Sequence, residues 1–166
     1  MYKKVGLGGG CHWCTEAVFA SLKGVQTTEQ GWIASQLPYD AFSEAVIVTY
    51  NPTIISLKDL IHIHLHTHSS TSHHSMRDKY RSVVYWFDAE DKREIMSMLT
   101  ELQSDFEQPI ITQVLPFADF RLSLPEHLNY YYSNKEKPFC KLYINPKIQM
   151  LREKFSMLTN DDKMLI

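Results

Sequence analysis

Apolar and polar positions along this chain of 166 residues fall into two periods, one of strands and one of helices. Tyr2 to Leu7 predicts a strand that runs into three consecutive glycines, and Trp13 to Lys23 predicts a helix closed by Gly24. Val25 to Ile33 predicts a strand. So does Glu44 to Tyr50, whose Ala45-Val46-Ile47-Val48 run predicts burial on both faces. Ser56, with Asp59 three residues on, fits the cap of a helix from Leu57 to about Thr67. Arg81 to Phe87 is rich in β-branched and aromatic residues and predicts another strand. Asp88 would cap a longer helix with apolar positions at Ile95, Met96, Leu99, Leu102 and Phe106, ended by Pro109. Ile110 to Leu115 predicts a further strand, and Pro125 and Pro146 each suit a first helical position. The last helix would present Ile148, Leu151, Phe155 and Leu158 on one face. With no repeat or evident linker, residues 1–166 predict one layered α+β domain.

Charge narrows the partners. Lys and Arg number 17 against 19 Asp and Glu, a net charge of -2, which gives no basic surface for nucleic acid or an anionic membrane. No apolar run reaches the length of a membrane span, and the charged N-terminus enters the first strand without room for a secretory signal, so a cytoplasmic protein is expected. Three cysteines are too few for a disulfide framework and predict free, catalytic or redox-active thiols.

The chemistry concentrates at Gly8-Gly9-Gly10-Cys11. Glycines there let the backbone turn sharply and leave the cysteine uncrowded. In the first turn of a helix, Cys11 would have unpaired N–H groups and the helix dipole favouring its thiolate, the nucleophilic form. The same residues also suit an inert thiol at a tight turn. Cys11-His12-Trp13-Cys14 is in addition a Cys-x-x-Cys, which alone reads as a thioredoxin-like disulfide oxidoreductase pair. A rival from another class comes from His62, His64, His66, His68, His73 and His74. His62 with His66, and His64 with His68, are spaced for joint metal coordination, but the four point in several directions with no evident carboxylate set, so no metal is expected. A non-catalytic binding domain is a third reading.

Gly9 to Glu16 (Gly-Gly-Cys-His-Trp-Cys-Thr-Glu) resembles the Gly-Gly-Cys-Phe-Trp-x-x-Glu signature of A-type peptide methionine sulfoxide reductases. The resemblance continues in order through Gly31-Trp32, Ser43-Glu44-Ala45-Val46, Tyr50-Asn51-Pro52, Ile55 to Leu60, His68 with Thr71, and Tyr80-Arg81-Ser82. Phe120, His127 and Tyr130, then Phe139-Cys140 and Pro146-Lys147, carry it to about residue 155. It implies a two-layer sandwich with a mixed sheet and a ferredoxin-like core.

What the resemblance implies chemically is reduction of methionine-S-sulfoxide, free or in proteins, without a bound cofactor. Cys11 would attack sulfur and be left as a sulfenic acid, while Glu44 would protonate the sulfoxide oxygen and Tyr80 would hydrogen-bond to it. Desolvation beside the apolar run would keep Glu44 protonated. Trp13 would pack on the substrate methyl group, with His12 and Trp32 also lining the pocket. Cys140, in an irregular segment after Tyr130 to Asn134, would resolve the sulfenic acid to a disulfide that thioredoxin then reduces, with Cys14 its competitor. The chain departs from the family pattern at His12, where phenylalanine stands, and at Trp32, where tyrosine stands. His73 to Lys79 replaces a Gln-Gly-x-Asp-x-Gly segment, Ala34 to Asp40 is a shorter loop, and Leu124 and Leu128 replace a glutamate and a glutamine.

Overall fold

The computed structural model describes residues 1–133, 135–160 and 163. Its frame is a six-stranded mixed sheet: β1 (Lys3–Gly8), β2 (Val25–Ala34), β3 (Ser43–Tyr50), β4 (Val83–Trp86), β5 (Gln113–Pro116) and β6 (Asp119–Leu122). The spatial order is β5-β4-β1-β3-β2-β6, with β4 and β5 parallel and the other neighbours antiparallel. The first four strands, with α1 (His12–Ala20) after β1 and α2 (Leu57–Thr67) after β3, make the βαββαβ core that the resemblance implied.

Central position explains the apolar strands. All eight residues of β3 are buried, because β1 and β2 flank it and both faces are covered. On one face Val5, Leu7, Val46, Val48 and Val84 pack with Phe19, Leu22, Leu60, Ile61 and Leu65 from the helices. On the other, Ile33, Ala45, Ile47, Val83 and Tyr85 form a smaller cluster roofed by Phe87, Leu115, Phe117 and Phe120. Around this frame, α2 begins with the predicted cap: the Asp59 amide donates to Ser56 Oγ at 3.0 Å and the Ser56 amide to Asp59 Oδ2 at 3.4 Å.

Elsewhere the boundaries move. α3 (Ala89–Leu102) follows Asp88, whose side chain makes no capping bond, and Met96 stays exposed while Ile95 and Leu102 are buried. Strand β5 starts at Gln113, three residues later than the apolar run suggests, where it can pair with β4. Pro125 opens only a single 3-10 turn. The stretch expected to be irregular is largely helical: α4 (Tyr130–Ser133), then a π-helical turn over Cys140–Ile144 that runs into α5 (Asn145–Lys154). Asn134 lies outside the described residues. Phe155 and Leu158 leave the helix but still pack on the core.

Candidate active site

The turn between β1 and α1 is held from three sides. His64 Nε2 donates to the Gly8 carbonyl at 2.8 Å, and Arg77 Nη1 donates to the Gly9 carbonyl at 2.9 Å. A side chain on Gly9 would put its Cβ 2.3 Å from the His68 ring, so only glycine lets the turn lie against α2. Arg77 Nη1 also donates to the Tyr80 carbonyl at 2.7 Å, and Arg77 Nε to the Ser72 carbonyl at 2.8 Å. One guanidinium therefore ties the turn before Cys11 to the strand entry that carries Tyr80.

Cys11 is the residue before α1, half-buried, and Cys14 lies one turn on, buried. Their thiols are hydrogen-bonded to each other, and all three cysteines are free. The bond separates the two groups. It pushes the Cys11 thiol far up, helped by burial, while the Trp13 amide pulls the other way. Seen from Cys14, the bond from Cys11 and the nearby Lys147 ammonium pull that thiol down against the cost of burial. The helix terminus was expected to favour the Cys11 thiolate; the Trp13 amide acts in that direction, against the hydrogen bond from Cys14 and the burial of the thiol.

These sulfurs open on a cavity of about 310 Å3, lined also by Gly9, Gly10, Tyr80, Met76, Phe139 and Lys147. A larger hollow of about 440 Å3 lies beyond Arg77 and Arg81, but no cysteine lines it. Trp13 stacks on Tyr130 with ring centroids 4.0 Å apart and meets Phe139 edge-on at 5.3 Å, so it backs the aromatic wall of the cavity. Trp13 Nε1 is buried and has no hydrogen-bond partner among the described residues.

Glu44 sits at the start of β3, buried, with donors around its carboxylate. The His12 amide donates to Oε1 at 3.2 Å, and Lys79 Nζ lies 3.5 Å from Oε2. The Glu44 charge reaches both thiols, raising each. His12 donates from Nδ1 to the Gly31 carbonyl at 2.7 Å, and its Nε2 lies 3.5 Å from Glu44 Oε1. Burial, above all, holds its imidazole below the ordinary value. Trp32, opposite Glu44 in the β2–β3 register, meets the His12 ring edge-on at 5.0 Å. The predicted residues thus form two adjoining groups: Cys11 and Tyr80 in the cavity, and Glu44, His12 and Trp32 beside it.

Cys140 stands apart from the cavity. It is fully buried, with burial and the neighbouring Cys14 charge raising its thiol. Its π-helical turn replaces the irregular segment expected there. Sequence reasoning named Cys14 only as a competitor, and gave Phe139, Lys147 and Arg77 no place in the site. The signal for Phe139 and Lys147 was their place beside Cys140 and Pro146; nothing in the sequence marked Arg77.

Glu16 completes the frame. Its buried carboxylate accepts from the Asn129 amide at 2.9 Å, the Tyr130 amide at 3.1 Å and Gln30 Nε2 at 3.0 Å, clamping α1 to the C-terminal third. Burial still leaves it above the ordinary carboxylate range.

Known proteins resemble this chain in sequence and fold. A peptide methionine sulfoxide reductase MsrA of Deinococcus radiodurans is 34% identical, with 87% of this chain and 78% of the relative covered. Mxr1 from Saccharomyces cerevisiae in reduced form superposes with a TM-score of 0.73 at 23% identity, over 84% of this chain and 89% of that one. The same protein in complex with Trx2 gives 0.62, also at 23%, over 78% and 84%. Among the described residues no helix is long and apolar enough to cross a membrane. Residues 3–159 match the family described as peptide methionine sulfoxide reductase, and the chain belongs to that family, in its A type.

Proposed function

We propose that this protein reduces methionine-S-sulfoxide to methionine, with Cys11 as nucleophile. The observation that carries the reading is the thiol pair opening on an aromatic-walled cavity that Tyr80 also lines. The hydrogen bond lets a proton pass between the two sulfurs. Passing it from Cys11 to Cys14 places the thiolate on the more exposed sulfur, where a sulfoxide can reach it. As the sulfur of the substrate is attacked, its oxygen needs a proton. Tyr80 supplies a hydroxyl in the cavity, and Glu44 the acid beside it. The Gly31 carbonyl fixes the Nδ1–H form of neutral His12, which turns Nε2 toward Glu44 as a partner for that proton. The substrate S–O bond breaks as the protonated oxygen passes to the Cys11 sulfur, so methionine leaves and Cys11 becomes a sulfenic acid.

A second thiolate then attacks the Cys11 sulfur, water departs and a disulfide forms. The family resemblance favours Cys140 for this step. The geometry supports Cys14 as the first to reach Cys11, since the two already share a hydrogen bond, with Cys140 next to Cys14 and able to take the disulfide onward. An external dithiol closes the cycle; thioredoxin is the reductant the family suggests, and Mxr1 has been solved with Trx2. The chemistry needs no metal or organic cofactor and suits a reducing compartment such as the cytoplasm.

Turnover on separated S and R epimers of a blocked methionine sulfoxide, with dithiothreitol and with thioredoxin, tests the proposal. S-selective turnover that disappears in Cys11→Ser is expected. Without any reductant, Cys14→Ser is expected to form one methionine per enzyme and leave a Cys11 sulfenic acid that a dimedone probe captures. A sulfenic acid captured only in Cys140→Ser would assign resolution to Cys140 instead. No turnover on either epimer would overturn the reading.

A further inference from the structure

Away from the cavity, two histidines of α2 and one carboxylate converge. His62 and His66 are one helical turn apart, and each places Nε2 3.0 Å from the same oxygen, Asp105 Oδ2. Their three ligand atoms all lie within 4.8 Å of one another. Asp105 comes from the 3-10 turn that ends α3, so the cluster joins two separate elements. The rings are held on their outer sides. Phe106 stacks on His66 at 4.7 Å, and Phe155 meets His62 edge-on at 5.0 Å.

We propose that His62, His66 and Asp105 form a binding site for a divalent transition metal of the zinc class, outside the catalytic machinery. Two imidazoles and one carboxylate are the donor set such ions take, and three protein ligands leave a position for water. In the structure the two N–H groups share one carboxylate oxygen. A metal ion would replace those protons, with little movement of ligands already converging. The side chains of His62, His66 and Asp105 are 31%, 12% and 36% exposed, so an ion has access from solvent. Bound there, it would pin the C-terminal half of α2 to the end of α3.

One neighbour opposes it. Lys154 Nζ lies 3.2 Å from His66 Nδ1. When His66 Nε2 takes a metal, its remaining proton sits on Nδ1, where an ammonium cannot also donate. Lys154, at the exposed end of α5, must therefore swing away, and its charge weakens the site.

The test is titration of the full chain with Zn2+, followed by Co2+ as an optical probe, on wild type, His66→Gln, Asp105→Asn and Lys154→Met. Expected is one metal per chain at this site, with Co2+ d–d bands and no thiolate charge-transfer band. Partners one shell out commonly change metal affinity by about 10–100-fold, so loss of a direct ligand in His66→Gln or Asp105→Asn is expected to weaken binding at least that much. Lys154→Met is expected to tighten it, while sulfoxide turnover stays at the wild-type level in all three. Binding that carries a thiolate band and ignores these substitutions would give the metal to the cysteines and overturn the proposal. No binding in wild type or in Lys154→Met would overturn it equally.

Discussion

The backbone N–H of His12 donates to the carboxylate of Glu44 at 3.2 Å. The residue directly after the proposed nucleophile thus grips the proposed acid, so the start of α1 and the start of β3 are registered by one hydrogen bond. The two reacting ends of a sulfoxide, sulfur and oxygen, need that spacing held while the bond between them breaks.

Glu44→Gln separates the two roles of that carboxylate. Loss of general acid catalysis typically costs about 10²–10⁴-fold, and a fall of that size is expected in turnover. Yet in its ionised form Glu44 raises both thiols, so removing its charge favours their thiolates. Alkylation of Cys11 by iodoacetamide at fixed pH is therefore expected to speed up as turnover falls. Slower alkylation would show that Glu44 does not act on the thiols.

The buried His12 imidazole makes stability depend on acid. Its folded value is below 6.5, so the neutral form is favoured in the fold; that contribution is complete above the unfolded value and is lost as pH falls through the folded one. His12→Phe is expected to flatten the stability profile below pH 6.5, measured by urea unfolding at a series of pH values.

Arg77 is expected to act on rate through placement. Its Nη1 donates to the carbonyls of Gly9 and Tyr80 while Nε and Nη2 hold those of Ser72 and Ser69, and lysine cannot reproduce that fork. Arg77→Lys should lower kcat while sulfoxide KM changes little, and Arg77→Ala should lower it further. An unchanged kcat in both would remove Arg77 from the account.

Gly31 is where β6 approaches β2. A Cβ there would lie 1.9 Å from the Arg121 carbonyl oxygen and 2.8 Å from the Phe120 ring, and backbone cannot yield as a flexible side chain can. Gly31→Ala is expected to destabilise by about 1–3 kcal/mol or more, read as a lower Tm.

Legibility in the sequence followed burial. Strand β3 and the Ser56–Asp59 cap were plain because each rests on local chemistry: an unbroken apolar run and a reciprocal side-chain pair. Strand β6 was missed. Asp119 and Arg121 face solvent, and only pairing with β2 makes the segment a strand. The π-helical turn at Cys140 has no local signature either; it follows from packing Cys140 and Ile144 into the core. At the site, Cys11, Glu44 and Tyr80 were named from motif order, whereas Arg77 works by reaching four carbonyls on three separate stretches of backbone, which no spacing announces. Asp105 was likewise invisible as a partner of His62 and His66, because 39 positions separate it from the nearer histidine.

The Glu16 clamp has a consequence for synthesis. Two of its hydrogen bonds come from Asn129 and Tyr130, 113 and 114 positions downstream. On a ribosome, β1 and α1 emerge long before those amides exist, and before Phe139 and Lys147 can wall the cavity. Until then Glu16 keeps its water and the thiol pair stands open to any passing oxidant. The newborn chain is therefore most open to oxidation of its own thiols, and its own last third is what ends that exposure.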